Sequence, residues 1–311
     1  MDAKALALIE LGRSLRAEGY RFVAVTPATH ARVLDRPGAQ TSLRSIFGWN
    51  RSFQRDEIPA RMFDLMSETE ALAREHGRYR SMVRFATIGE MIFAHSAFPT
   101  IEPDAVFFGP DTYRFVRLIG ASLADLAFDR RVKLIDVGSG SGAGGIFAAR
   151  LLAEKADIVL ADINRKALAF SAINAAINDV AWARAIFSDI LDGVDGEADL
   201  IVANPPYLVD EEQRLYRHGG GRLGIALAQR ITAEGLARLT PGGRLILYTG
   251  TPLIGGVDAF FDSIQPLLQL HCSHVSYEEI DPDVFGEELE RQAYVDADRI
   301  AAVGLVATKR G

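Results

Sequence analysis

The apolar residues in the first third of the chain recur at helical intervals. Leu8, Leu11 and Leu15 have the spacing of a helix that buries one face. Four helices are predicted in this region, at residues 3–18, from Thr26 with Pro27 in its first turn, near 41–48 and near 59–76. A strand pair with a turn at Gly89 is predicted next, over 82–87 and 91–94. Residues 1–105 are therefore predicted to form a smaller, mainly helical domain, either winged-helix-like or an irregular helical cap.

From residue 106 the pattern changes to short apolar runs that alternate with helical segments. Five strands are predicted from these runs, at 132–137, 157–162, 185–187, 199–203 and 244–248. Such alternation is typical of an α/β fold with a parallel sheet. Two further strand candidates, 271–278 and 301–308, are separated by a loop, which favours an antiparallel pair. The expected fold of residues 106–311 is a Rossmann-like, seven-stranded, mostly parallel sheet with an antiparallel C-terminal edge.

The composition narrows the class of protein. The 311 residues are 49% hydrophobic and 24% charged, which predicts a folded chain with a large core. A net charge of -7 argues against a protein that coats nucleic acid electrostatically. A single cysteine, Cys272, excludes an intramolecular disulfide and a cysteine metal cluster, and no metal site is predicted. No segment has the roughly 18 apolar residues that span a membrane. The charged, helical N-terminus is unlike a signal peptide, so we expect a cytoplasmic protein.

A glycine-rich loop follows the first strand of the predicted sheet. Asp136 lies near the end of that strand, and the loop contains Gly138, Ser139, Gly140 and Gly142. Glycines let the backbone turn sharply and bring a ligand against main-chain N–H groups at a helix start. The loop is therefore predicted to bind a nucleotide-like ligand.

Two later carboxylates suit the same ligand. Asp162 ends the second strand, where a carboxylate can accept from both hydroxyls of a ribose. Asp189 follows the third strand and could meet an adenine amino group. Residues 140–145 satisfy the GxGxxG pattern of dinucleotide sites, whereas the acidic Asp136 before the loop is typical of S-adenosylmethionine sites. Both ligands remain open on these residues alone.

The tetrapeptide Asn204-Pro205-Pro206-Tyr207 directly follows the fourth strand, at the edge where ligands bind in open α/β sheets. Its two prolines remove two N–H donors and leave rigid carbonyls that only accept hydrogen bonds. The Asn204 amide oxygen and the Pro205 carbonyl can then hold both hydrogens of a planar NH2 group and direct its lone pair at a methyl carbon. Tyr207 can stack on the same plane. This arrangement predicts methyl transfer catalysed by orientation and electrostatics.

With these motifs in this order, the chain resembles the class I S-adenosylmethionine-dependent methyltransferases. It is similar to their Asn-Pro-Pro-Tyr group, in particular to the release-factor glutamine methyltransferases of the HemK type and the "methyltransferase small" domain. The resemblance covers roughly residues 106–311. Residues 108–112 resemble the Arg-Pro-Glu-Thr segment of the glutamine enzymes, with Gly109 at the arginine position. The resemblance implies contacts with S-adenosyl-L-methionine, and the predicted cofactor-binding residues are Asp136, Gly138, Ser139, Gly140, Gly142, Asp162, Ile163, Asp189 and Asn204.

The predicted function is S-adenosylmethionine-dependent N-methylation of a planar amide or amino nitrogen. The predicted catalytic residues are Asn204, Pro205, Pro206 and Tyr207. Three classes of acceptor remain open, a protein glutamine, a nucleic-acid base or a small metabolite. Residues 1–105 are expected to select the acceptor, and they do not resemble the helical bundle of the glutamine enzymes. Two alternatives remain, an NAD-dependent oxidoreductase that uses the GxGxxG loop and a non-catalytic S-adenosylmethionine-binding module. The oligomeric state is not predicted.

Overall fold

The N-terminal region combines three helices with two strand pairs in the computed structural model, which describes residues 1–37, 40–126, 128–153 and 156–311. The helices are α1 (Ala3–Ala17), α2 (Pro27–Leu34) and α3 (Ala60–Glu68). The strands are β1 (Leu72–Glu75), β2 (Arg78–Ser81), β3 (Val83–Ile88) and β4 (Met91–Ser96). They pair antiparallel as β1 with β2 and β3 with β4.

The boundaries in this region follow local chemistry and correct two predictions. Helix α2 begins as predicted, with the Thr26 hydroxyl accepting from the Thr29 N–H and a proline in the first turn. The helix predicted near 59–76 is wrong beyond Glu68. Glu70 has a φ of 56°, which a right-handed helix cannot continue through, and the chain then enters β1. The helix predicted near 41–48 is only a short π-helical turn at Arg44–Gly48.

The remaining elements alternate between helix and strand, as predicted. The helices are α4 (Pro110–Leu123), α5 (Ala143–Leu152), α6 (Arg165–Ile177), α7 (Ala226–Arg238) and α8 (Ala259–His271). The strands are β5 (Val132–Val137), β6 (Ala156–Asp162), β7 (Arg184–Phe187), β8 (Ala198–Ala203), β9 (Leu239–Ile254), β10 (Val257–Asp258), β11 (Cys272–Asp281) and β12 (Arg299–Lys309). Two short 3₁₀ helices, Gly286–Glu290 and Gln292–Tyr294, lie in the connection before the last strand.

These strands form one mixed sheet in the order β7-β6-β5-β8-β9-β12-β11, with the two-residue β10 added beside β9. The first five strands of this order are parallel. Strand β12 runs antiparallel to β9, and β11 runs antiparallel to β12. This confirms the predicted α/β fold with a mostly parallel sheet and an antiparallel C-terminal edge. The strand order reverses between β5 and β8, so the crevice for a ligand is expected at their carboxyl ends.

Alternate residues of the strands bury opposite faces of the sheet. In β5, Leu134 belongs to a core with α4 and α5, whereas Ile135 belongs to a core with α7 and α8. A third core joins α1, α3 and the hairpin β3–β4 to one side of α6. Helix α6 therefore packs against the sheet with one face and against the N-terminal region with another.

Two asparagines of α6 bind the edge of β4 as a neighbouring strand would. The Asn174 side-chain oxygen accepts from the Ala94 N–H at 2.7 Å, and its amide donates to the Ala94 carbonyl at 2.9 Å. Asn178 makes the same two bonds with Ile92, at 3.0 and 2.8 Å. Both asparagines are buried. This amide ladder satisfies the main-chain groups that an edge strand leaves unpaired, and it fixes the hairpin on α6.

In the part of the chain that the structure describes, no helix combines the length and the apolarity needed to cross a bilayer. Within the same residues, no group of three or more histidine, cysteine, aspartate or glutamate side chains is placed to hold a metal ion.

Replacing Asn174 with alanine is expected to lower the free energy of unfolding by about 2–4 kcal/mol, because it leaves the buried N–H and carbonyl of Ala94 unpaired. Urea unfolding followed by circular dichroism would measure the change. Arg165→Ala, at an exposed position of the same helix, is the matched control and should change the value by less than about 0.5 kcal/mol. Equal effects of the two substitutions would contradict the role of the ladder.

Candidate functional site

A cavity of about 530 Å³ lies at the carboxyl ends of β5, β6 and β8. Its wall contains nine of the residues predicted from the sequence: Gly138, Gly140, Asp162, Ile163, Asp189, Asn204, Pro205, Pro206 and Tyr207. Three predicted residues, Asp136, Ser139 and Gly142, lie outside this wall among the described residues. The rest of the wall comes from several parts of the chain, which include α2, Arg84 on β3, segment 98–108, Asp111, the loop that follows Tyr207, and α7. The cavity therefore joins the N-terminal region to both sequence motifs.

Asp136 acts from behind the glycine loop. Its side chain is 1% exposed, and Oδ2 accepts from the Gly145 N–H at 2.7 Å. Gly145 is in the first turn of α5, and the N-cap position of that helix is Gly142, which has no side chain to offer. The carboxylate thus satisfies an otherwise unpaired donor at the helix start. Burial raises the pKa of Asp136 to about 7, and the Gly145 N–H partly offsets this.

The glycine loop uses its own N–H groups internally. Gly140 donates to Asp162 Oδ2 at 2.8 Å, and Gly142 donates to the Ser139 carbonyl at 2.7 Å. Ser139 donates to the Ala161 carbonyl, and Gly145 donates to Asp136 as described above. Four of the eight N–H groups of residues 138–145 are therefore taken, including those of all three glycines of the GxGxxG pattern, and two carboxylates lie against the loop. This is an unfavourable place for a phosphate and a favourable one for a cationic ligand.

Asp162 and Asp189 supply hydrogen-bond acceptors to the cavity. Asp162 is buried and accepts from the N–H groups of Gly140 and Asn164, one at each carboxylate oxygen. Burial raises its pKa, and these N–H groups partly counteract the shift. Each carboxylate oxygen keeps a further lone pair for a ligand hydroxyl. Asp189 is half-exposed and lies 3.6 Å from the Arg230 guanidinium.

Asn204 ends β8 and lines the cavity beside Pro205 and Pro206. No described residue forms a hydrogen bond with its side-chain amide, so both the oxygen and the NH2 group remain available to a ligand. The following backbone is held by close packing, because a Cβ on Gly219 would lie 2.6 Å from the Pro206 carbonyl oxygen. A rigid backbone with an uncommitted amide suits the orientation of a bound group.

Tyr207 is fixed by a carboxylate that sequence reasoning did not assign. Its hydroxyl donates to Asp111 Oδ2 at 2.7 Å, and the Tyr248 hydroxyl donates to Oδ1 of the same aspartate at 2.7 Å. Arg114 also donates to Oδ1, at 2.9 Å. Burial, followed by the charge of Asp111, holds the pKa of Tyr207 well above its ordinary value. The Tyr207 ring is thus set as a neutral wall of the cavity, close to Gly250, where a Cβ would lie 2.1 Å from the ring.

The loop after Tyr207 closes one side of the cavity against segment 98–108. The Tyr216 hydroxyl donates to the Thr100 carbonyl at 2.6 Å, and the Tyr216 ring stacks on Phe107 with 5.9 Å between centroids. The Leu215 N–H donates to the Pro103 carbonyl at 3.1 Å. Two arginines of the loop are neutralised by ion pairs, Arg214 with Asp210 and Arg217 with Glu288. These contacts cover the site with a long connection.

Three functional candidates in the N-terminal half of the wall carried too weak a sequence signal to be found. Asp111 follows a proline in the segment before the first strand of the sheet, and only its likeness to the family's Glu in that segment marked it. His30 and Arg84 are 54 residues apart in sequence, and their side chains meet only in the folded chain. Neither has a motif around it.

Comparison with known proteins agrees with this site. Residues 120–253 match the family described as "Methyltransferase small domain". The chain is 30% identical over 192 residues to the release factor glutamine methyltransferase of Lactococcus lactis, covering 58% of this chain and 65% of that protein. It is 31% identical over 150 residues to methyltransferase HEMK2 of Homo sapiens, covering 45% and 68%. It is 34% identical over 136 residues to the ribosomal RNA small subunit methyltransferase C of Chromohalobacter salexigens, covering 44% and 36%. The chain therefore spans between 36% and 68% of the length of these relatives.

The buried Asp136 carboxyl predicts a pH dependence of stability. Its pKa is raised on folding, so the folded state keeps this proton up to about pH 7, whereas the unfolded chain releases it near pH 4. Stability is therefore lost as the pH rises from about 4 to about 7. Asp136→Asn keeps an acceptor for Gly145 and cannot ionise, so its stability relative to wild type should rise over this range, by up to about 4 kcal/mol.

Urea unfolding at pH 5 and pH 8 would measure this difference, in the absence of ligands. Asp192→Asn, at an exposed position, serves as the control and should give the same difference from wild type at both pH values. A wild-type protein that exceeds Asp136→Asn in stability at pH 8 would contradict the assignment.

Proposed function

Because the chain belongs to the class I S-adenosylmethionine-dependent methyltransferases, in the group that includes the release factor glutamine methyltransferases and HEMK2, we propose that it methylates a planar amide or amino nitrogen. The observation that carries the proposal is Asn204, whose side-chain amide has no partner among the described residues and lies in the cavity beside two prolines. The methyl donor is the cofactor of the family, S-adenosyl-L-methionine.

The residues at the ends of β5 and β6 fit this cofactor. It carries a ribose and an adenine that donate hydrogen bonds, an ammonium and a sulfonium that are positive, and one carboxylate that is negative. Asp162 would accept from the ribose hydroxyls, and Asp189 would accept from the adenine amino group. The carboxylate of Asp136, behind the loop, adds negative potential when it is ionised. The bound cofactor supplies an electrophilic methyl carbon.

Asn204 and Pro205 would orient the acceptor. Their two oxygens accept from the two hydrogens of the acceptor NH2 group, which leaves the nitrogen lone pair aimed out of that plane. The bound cofactor would supply the methyl group to this nitrogen, and its sulfur would keep the electron pair of the broken carbon–sulfur bond. The two oxygens stabilise the positive charge that develops on nitrogen. One proton then leaves the nitrogen for water. Tyr207, held neutral on Asp111, would pack against the plane of the acceptor.

The dinucleotide alternative is disfavoured by the glycine loop. A diphosphate needs free N–H groups at the start of α5, and the Gly145 N–H is taken by Asp136. A diphosphate would also approach Asp136 and Asp162, two buried carboxyl groups. The glycines of the GxGxxG match thus lack the free N–H groups with which this pattern binds a diphosphate.

Methyl transfer should depend on Asn204. Replacing it with alanine removes the side-chain acceptor and should reduce transfer of labelled methyl groups to an extract of acceptors by at least about 100-fold. S-adenosylhomocysteine binding by calorimetry would show that the variant keeps its fold. Gln269→Ala removes an exposed side-chain amide outside the cavity, and as the control it should leave transfer unchanged. Transfer at the wild-type rate in Asn204→Ala would sink the mechanism.

Cofactor choice can be tested separately by calorimetry. The protein should bind S-adenosylhomocysteine at least about 100-fold more tightly than NAD, because the loop offers acceptors instead of donors. Asp162→Ala should weaken S-adenosylhomocysteine binding by about 10- to 100-fold. The exposed Asp192→Ala is the matched control and should leave it unchanged. Tighter binding of NAD would restore the oxidoreductase alternative.

A further inference from the structure

The cavity contains a buried cation that the chemistry of methyl transfer does not use. Arg84, on β3, lines the cavity and is 4% exposed. Its Nε donates to the Gly48 carbonyl at 2.9 Å, and its Nη2 donates to His30 Nδ1 at 3.3 Å. No carboxylate among the described residues forms an ion pair with it. A buried guanidinium without a counter-charge is costly, so an anion is expected to complete this part of the cavity.

His30 supports this cation as a neutral group. It also lines the cavity, and its Nε2 donates to the Trp49 carbonyl at 3.0 Å, which leaves Nδ1 to accept from Arg84. Burial, followed by the charge of Arg84, lowers the pKa of His30 to about 4. Histidine therefore adds no second positive charge at neutral pH. Burial also lowers the pKa of Arg84, to about 10, and the groups that oppose this shift are the hydroxyls of Tyr20 and Tyr113.

The surroundings favour a flat ligand with a single negative charge. The Phe98 ring lies 4.2 Å from the His30 ring, between centroids, and both line the cavity. The other two arginines of the wall, Arg214 and Arg217, already have carboxylate partners. One unpaired guanidinium balances one anionic charge, and its planar fork matches the two oxygens of a carboxylate. A phosphate dianion would bring a second charge without a cation to meet it.

We infer that Arg84, with His30 beside it, binds a carboxylate of the methyl acceptor, so that the acceptor is a small, flat molecule that carries both a planar nitrogen and a carboxylate group. This inference rests on the proposed function, because it assigns a second group of the acceptor to another part of the wall of the same cavity. A protein glutamine has a neutral side chain and offers Arg84 no anion. S-adenosyl-L-methionine has one carboxylate of its own, and if Arg84 bound that group instead, benzoate would compete with S-adenosylhomocysteine and the inference would be overturned. The loop contacts of Tyr216 and Leu215 enclose the cavity, which suits a small acceptor.

Trp49 offers a direct readout, because its ring lies 5.2 Å from that of His30. The other tryptophan, Trp182, is replaced by phenylalanine so that the emission reports on Trp49 alone. Titrations use benzoate, its neutral methyl ester, which has no NH2 group for Asn204 to bind, and the dianion phenyl phosphate, without methyl donor. We expect benzoate to bind at least about tenfold more tightly than methyl benzoate and than phenyl phosphate. Equal binding of benzoate and methyl benzoate, or tighter binding of phenyl phosphate, would overturn the inference.

Variants locate the effect. Arg84→Met should abolish the preference for benzoate over methyl benzoate, whereas Arg84→Lys keeps the charge and should retain a weaker preference. Arg44→Met, at an exposed arginine, should leave it unchanged. A preference that persists in Arg84→Met overturns the assignment. If Arg84→Met does not fold, the wild-type comparison of the three probes and the Arg84→Lys result still decide.

The titration separates this inference from the proposed function, since it involves no methyl transfer. When the titration is repeated in Asn204→Ala, it should give the same preference for benzoate, because the anion contacts Arg84 and not Asn204. Benzoate binding in a protein that transfers no methyl group would refute the proposed function and support the anion site. Methyl transfer by a protein without preference for benzoate would refute the anion site alone.

Discussion

The amide ladder between α6 and β4 determines how the site is assembled. The N-cap residue of α6 is Asn164, two residues after Asp162 of the cavity wall. The later turns of the helix hold β4 through Asn174 and Asn178. Because β4 pairs with β3, the ladder also places Arg84. The edge of the hairpin is thus bound to a helix whose first residue lies next to the cofactor-binding loop. Together with the apolar core between α1, α3 and α6, this contact holds the N-terminal region at the same cavity as Asn204.

The residues that line the cavity differ in electrostatic character. Near the glycine loop the groups are acceptors, with Asp162 in the wall and Asp136 behind it. Near α2 the unpaired group is a donor, the guanidinium of Arg84. Asn204 lines the same cavity, and its side-chain amide can both donate and accept hydrogen bonds. These residues suit a methyl donor whose sulfonium lies near the carboxylates and a methyl acceptor whose carboxylate lies beside Arg84. The reacting nitrogen of the acceptor would lie at the Asn204 amide.

The sequence predicted the parts of the fold and site that depend on local pattern. The strands of the sheet are apolar runs that end in polar residues, and parallel strands bring those ends to one edge, which is why Asp162 and Asn204 could be placed together. The helix predicted to residue 76 failed because its apolar spacing does not encode the positive φ of Glu70. Arg84 and Asp111 could not be assigned, since their partners are distant in sequence and are chosen by packing. Apolar periodicity shows that β3 is buried, but not which polar side chain of it meets a cavity.

The central claim is that one cavity holds a methyl donor at the sheet edge and an anionic acceptor beside Arg84 at the same time. Calorimetric titration of S-adenosylhomocysteine in the absence and presence of saturating benzoate tests it most directly. We expect both ligands to bind together, with one S-adenosylhomocysteine per chain. Benzoate should leave the affinity for S-adenosylhomocysteine unchanged or strengthen it. Competition, in which benzoate weakens S-adenosylhomocysteine binding in proportion to its concentration, would place both ligands in one subsite and contradict the account.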